Sequence, residues 1–151
     1  NKTNTGSGSD LRWISFYWNG TSKGYLRYES DDVVLAQDSD YRLKTNIADL
    51  TNCIDKVKLL KPVSYNWNGL LGKPTDIVRH GFVAHELSEV IPQAVMGAKD
   101  ATKTDEDGNE NVIDPQQIEQ KYIIPTLTKA LQEAIAKIET LETKVAALEG
   151  S

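Results

Sequence analysis

Apolar positions between Leu11 and Ala36 come in three short runs separated by turn residues. Leu11–Trp18 carries Trp13, Ile14, Phe16, Tyr17 and Trp18, a composition that suits a pleated strand. Asn19-Gly20 predicts a tight turn after it. Gly24–Tyr28 and Val33–Ala36 predict two more strands, with a turn at Asp31-Asp32. The Gly/Ser/Thr/Asn-rich residues 1–10 predict a flexible lead-in. Three such strands cannot enclose a core by themselves. Their apolar side chains need cover from the rest of the chain or from other copies of it.

The period then changes. Leu50, Cys53, Ile54, Val57 and Leu60 fall at helical spacing and predict a helix over 49–60, ended by Pro62. Val63–Trp67 alternates like a strand and Asn68-Gly69 turns it. The segment to about Arg79, with Gly72 and Pro74, predicts a loop. Gly81–Ala84 predicts a short strand, His85–Ile91 a helix stopped by Pro92, and Ala94–Met96 another strand. Residues 98–111 hold nothing that could anchor a core, so they predict a solvated loop or a projecting hairpin tip. Asp114-Pro115 has the form of a helix start, and Pro125 offers a second one.

The strongest pattern is the last. Ile124, Leu131, Ile138 and Val145 repeat every seventh position, and Leu127, Ala134, Leu141 and Leu148 sit three residues after each. These are the a and d positions of a coiled coil over 125–149. Lys137 and Lys144 fall at g, and Glu142 and Glu149 at the following e, so each pair can meet between parallel neighbouring helices. An amphipathic helix lying on its own core is the alternative. β-Branched residues at a with Leu at d favour dimers. Ala134 thins one layer and Ile135 at e widens the apolar face, and both weaken that rule.

Composition narrows the function classes. The chain has 151 residues, 39% hydrophobic and 26% charged, which fits a folded domain with appendages. A net charge of −5 argues against nucleic acid as the main partner. No apolar run is long enough to span a bilayer, so no membrane association is expected. No secretory leader is evident, and the start at Asn1 without Met predicts a fragment of a longer polypeptide. Cys53 is the sole cysteine and reads as buried filler. His80 and His85 are five residues apart, a spacing unsuited to a metal pair on one helix face, so neither a metal nor another cofactor is expected. Asp105-Glu106-Asp107-Gly108-Asn109 invites a calcium loop, but Gln116 stands where the twelfth-position Glu is needed, which leaves a plain acidic turn.

Between the two halves lies Asp38-Ser39-Asp40-Tyr41-Arg42-Leu43-Lys44-Thr45-Asn46-Ile47. It offers a nucleophile, Ser39, and a base, Lys44. Their spacing suits neither one helix face nor one straight strand, so the chain must turn between them, at Tyr41 and Arg42. The spacing alone is a weak signal, since serine and lysine are common enough here to give such a pair by chance.

Residues 39–47 resemble the start of the C-terminal intramolecular chaperone of phage tailspikes, tail fibres and endosialidases. The resemblance continues through Leu60–Trp67, Gly81–Leu87, Val90–Val95 and Tyr122–Leu131, and spans about residues 38–149. His85 departs from the family pattern, which has Gln there. The resemblance implies an α+β homotrimer: short strands ending a triple β-helix, a mixed α/β chaperone, and a long C-terminal coiled-coil helix. Residues 1–38 would be the β-rich stump of the parent fibre, and 39–151 the chaperone. The partners implied are two further copies of the chain and the preceding fibre segment as folding client. The chaperone would then release itself in a single turnover, with Ser39 as nucleophile, Lys44 as general base, and Asp40, Arg42 and Asn46 as supporting motif positions. Ring size places the cut at Asp38–Ser39, with Ser39–Asp40 as the alternative. The location implied is a tail-fibre or tailspike precursor made in the bacterial host cytoplasm. Two other readings compete. One is an oligomerisation module without enzymatic activity. The other is a receptor-binding tip with Trp13, Trp18 and Tyr25 as a sugar platform.

Overall fold

In the computed structural model the described residues are 12–29, 32–36 and 38–150, so the expected lead-in at 1–10, Leu11 and Asp31 of the expected second turn lie outside them. The chain divides into two compact units, Asn1–Ala48 and Asp49–Ser151.

The first unit is built on an antiparallel meander of β1 (Arg12–Trp18), β2 (Thr21–Glu29) and β3 (Asp32–Ala36). The β1–β2 turn is the two-residue Asn19-Gly20, with φ of 47° and 75°. Both residues in the left-handed region match the twist of the strands they join, which is why Asn-Gly is favoured there. Trp18 stands opposite Thr21, Ile14 opposite Leu26, and Leu26 opposite Leu35. The sheet leaves Ile14, Phe16, Tyr17, Val33 and Leu35 exposed, and Trp18 is 70% exposed. The side chain of Trp13, one of the expected sugar-platform residues, lies outside what is described.

The second unit is a mixed α/β body. Its helices are α1 (Cys53–Leu59), α2 (Ala84–Val90) and α3 (Ile123–Glu149). Its strands form two-stranded antiparallel ribbons: β4 (Val63–Tyr65) with β5 (Arg79–Gly81), β6 (Val95–Met96) with β9 (Gln117–Ile118), and β7 (Thr102–Lys103) with β8 (Val112–Ile113). The core is Leu87, Ile91, Ala94 and Ile123, wrapped by Leu60, Phe82, Val90, Val95 and Ile118. Pro92 sits in the turn that ends α2, and the Ile91 N–H still bonds back to Leu87 O at 2.9 Å.

Three local expectations are corrected. The helix read at 49–60 starts only at Cys53, because Asn52 takes a left-handed conformation with φ 56°. No helix starts at Asp114-Pro115. The Asp114 N–H donates to Ala101 O at 2.9 Å and its carboxylate pairs with Lys103 at 3.2 Å, which closes the β7–β8 hairpin. The helix starts at Ile123 instead, with Pro125 in its first turn, where proline is tolerated. The strand read at Gly81–Ala84 lies at Arg79–Gly81, and Ala84 already opens α2.

Residues 98–111 include one arm of that hairpin and its tip. Asp105 organises the tip from within. Its Oδ1 accepts from the Asp107 and Asn109 N–H groups at 3.1 and 2.8 Å, and its Oδ2 from Asn109 Nδ2 at 2.9 Å. The carboxylate that prompted the calcium reading thus serves as a turn cap.

Helix α3 has two different faces. Ile123, Thr126 and Ala130 are buried against the body of the unit. The a and d positions Ile124, Leu127, Leu131, Ile138, Leu141, Val145 and Leu148 are exposed, Leu131 at 63%. The helix therefore uses one stripe for its own core and leaves the heptad stripe open.

Candidate functional site

The stretch around Ser39 bends where the dyad spacing requires it. Tyr41–Leu43 forms a single 3₁₀ turn. The Leu43 N–H donates to Asp40 O and the Lys44 N–H to Tyr41 O, both at 3.1 Å. Asp40 holds the front of the turn in an extended conformation and its Oδ1 accepts the Arg42 N–H at 2.9 Å. A carboxylate at this position satisfies a donor that the first turn leaves open. Lys44 resumes an extended backbone at φ −120°, ψ 143°.

The turn brings the two expected chemical groups together. Lys44 Nζ donates to Ser39 Oγ at 2.6 Å, and both side chains are exposed. Asp40 and Arg42 form a fork beside them. Arg42 Nε donates to Asp40 Oδ1 at 2.9 Å and Nη2 to Oδ2 at 2.8 Å. The side-chain and backbone hydrogen bonds from Arg42 hold the Asp40 carboxyl below the usual carboxylate range, and Lys44 adds a smaller electrostatic pull. The same fork raises the Arg42 guanidinium. Asn46 sits past the turn with φ 53°, a left-handed position that asparagine adopts more readily than most residues. Asp38, on the expected acyl side of the cut, is exposed. Tyr41, Leu43 and Ile47 are exposed apolar side chains along the same segment.

Among the described residues no group of three or more His, Cys, Asp or Glu side chains converges. His80 lies in β5 and His85 in α2. Cys53 is fully buried, as its place on the apolar stripe suggested.

Those features bring a serine, a lysine and a capped turn together in one short segment. Residues 39–96 match the peptidase family described as chaperone of endosialidase. The matched span opens on Ser39 and runs through the dyad, α1, both strands of the β4–β5 ribbon, α2 and β6. The match covers residues 39–96 of the resemblance seen in the sequence. The chain is also 29% identical over 129 residues, 85% of its length, to long tail fiber protein Gp37 of Enterobacteria phage K3. The same identity and span hold for long tail fiber protein Gp37 of Enterobacteria phage T2. The chain spans about a tenth of the length of these relatives, 10% and 9%.

One residue of structural weight escaped sequence reasoning. Glu133, on α3, accepts the Ile54 N–H at 2.9 Å and the Cys53 N–H at 3.2 Å, and so caps α1 from 80 residues away. Local pattern carries no signal for such a contact. The Asp40–Arg42 fork left a fainter one, an acidic residue two positions before an arginine inside the turn segment.

Proposed function

We propose that this chain is a folding helper of a phage tail fibre that releases itself by cutting at Asp38–Ser39. The observation that carries the cleavage reading is the 2.6 Å contact between Lys44 Nζ and Ser39 Oγ across a capped turn. The match to the chaperone family and the two tail-fibre relatives support the folding role. The exposed heptad stripe of α3 supports assembly of three copies through a parallel coiled coil, with Lys137–Glu142 and Lys144–Glu149 pairs between chains. Docking the copies raises the effective concentration of the preceding strands, which expose apolar residues that only other copies would cover.

The chemistry follows from the dyad. As a free amine, Lys44 takes the Ser39 hydroxyl proton while Oγ attacks the Asp38 carbonyl carbon through a five-membered ring. The C–N bond breaks, the proton passes to the departing Ser39 amine, and an ester joins Asp38 to Ser39 Oγ. Water then hydrolyses that ester, leaving a carboxylate on Asp38 and an amine and a hydroxyl on Ser39. Attack of Ser39 on its own carbonyl would need a four-membered ring, which disfavours a cut at Ser39–Asp40. The nucleophile and the bond are in one chain, so effective molarity replaces substrate binding.

A lysine acts as base only where desolvation or a nearby cation favours the free amine. Both dyad residues are exposed in the single chain. Completion of the assembly around residues 38–44 is therefore the step that switches the dyad on, and cleavage reports correct folding. In this reading the residues before Ser39 stay with the virion fibre and residues 39–151 leave after cleavage. Substituting Ser39→Ala or Lys44→Ala tests it: the shortened product should vanish from a denaturing gel while the oligomer persists in gel filtration. A product of unchanged yield in either variant contradicts the dyad.

A further inference from the structure

The Asp40 carboxylate has two consequences that pull against each other. As the cap of the 3₁₀ turn it fixes the bend that joins Ser39 to Lys44. As an anion close enough for Lys44 to influence it, it is also the natural counter-ion for that lysine. An ion pair with Asp40 would draw Nζ away from Ser39 Oγ and favour the charged ammonium, which cannot take a proton. In the structure Arg42 takes both carboxylate oxygens, at 2.9 and 2.8 Å, and Lys44 Nζ is left on Ser39.

We propose that Arg42 is a decoy cation that occupies Asp40 so that Lys44 remains available to Ser39. Arg42 and Asp40 are positioning residues, acting on the reaction through Lys44. Arginine suits the role because its planar guanidinium binds a carboxylate with two parallel bonds and keeps its charge at every working pH. The titratable groups in this stretch are Asp38, Asp40, Tyr41, Arg42 and Lys44. Asp40 is the one that caps the turn, binds Arg42 and feels the charge of Lys44. The inference rests on the cleavage reading above and goes beyond it by giving the fork a task.

Two measurements on the full chain separate this inference from that reading. The first is the rate of self-cleavage against pH for wild type, Arg42→Ala, and Arg42→Ala with Asp40→Asn. Asparagine retains an oxygen to cap the turn but is no counter-ion. The single variant should cut about tenfold more slowly near neutral pH, recover as pH rises, and return to within about threefold of wild type when Asp40→Asn is added. An equal deficit at every pH, unrelieved by Asp40→Asn, would mean that the fork is only scaffolding and overturns the proposal.

The second measurement needs no cleavage. In a Ser39→Ala background, which keeps the chain uncut, trace acylation of amines is read by peptide mass spectrometry. Labelling of Lys44 relative to the other lysines should fall about three- to tenfold in Arg42→Ala and recover with Asp40→Asn. Unchanged relative labelling overturns the proposal even if wild type cuts itself. Wild type that never cuts, with the labelling pattern as expected, removes the cleavage reading and leaves the decoy arrangement standing.

Discussion

At Glu133 a single carboxylate closes the start of α1. The N–H groups of Ile54 and Cys53 hold the Glu133 carboxyl below its usual range, with smaller contributions from Lys129 and Lys137. A carboxylate whose folded value is lowered adds stability above its unfolded value and loses it as pH falls through the folded one. Glu133→Gln, which weakens this cap, should lower Tm by roughly 2–5 °C at neutral pH, and the difference should close as pH falls through the lowered carboxyl value. Thermal unfolding of both proteins at several pH values checks this. A gap that persists at low pH would show that shape, not charge, secures the cap. The residue scale also shows what the sequence could and could not disclose. The Ser39–Lys44 contact rests on a local turn, yet the spacing alone was a weak signal and the resemblance singled the pair out. The task of Glu133 was not legible, because its partners lie 80 and 79 residues away.

At the scale of elements, local pattern succeeded where strand-favouring composition was bounded by turn residues or where the heptad ran uninterrupted. The strands β1 to β3 lie close to where their composition and the turn residues between them place them, and the helix α3 lies close to where the heptads place it. Local pattern failed at short elements whose form is decided by distant partners. Asp114-Pro115 has good capping chemistry, yet the bonds of Asp114 to Ala101 and Lys103 commit it to a hairpin. The division of labour on α3 was also hidden, since the heptads disclose one stripe but not the second one formed by Ile123, Thr126 and Ala130. That division makes a sharp prediction. Leu131→Asp together with Ile138→Asp touches only the open stripe. It should turn the oligomer into monomers in analytical ultracentrifugation, with the far-ultraviolet circular dichroism of the body largely kept. An oligomer unaffected by both changes would dismiss the coiled coil. Ile91→Ala acts on the other side of the balance. Ile91 is 2% exposed within the core cluster. Its truncation should cost about 2–4 kcal/mol in denaturant unfolding at fixed protein concentration.

For the molecule as a whole, the proposed function makes folding and cutting parts of one sequence of events. The first unit exposes the apolar side chains of its sheet, and the second exposes the heptad face of its long helix. In the proposed assembly each of these faces is covered by further copies. In chain order Ser39 and Lys44 follow the strands, and their side chains touch while exposed to solvent. In the proposed function the chemistry waits on assembly of the copies. Intact-mass spectrometry of freshly folded protein tests this most directly. The account predicts a fragment of residues 39–151 that begins at Ser39, absent in Ser39→Ala and Lys44→Ala. A fragment beginning at Asp40, or a fully assembled chain that stays whole, would contradict it.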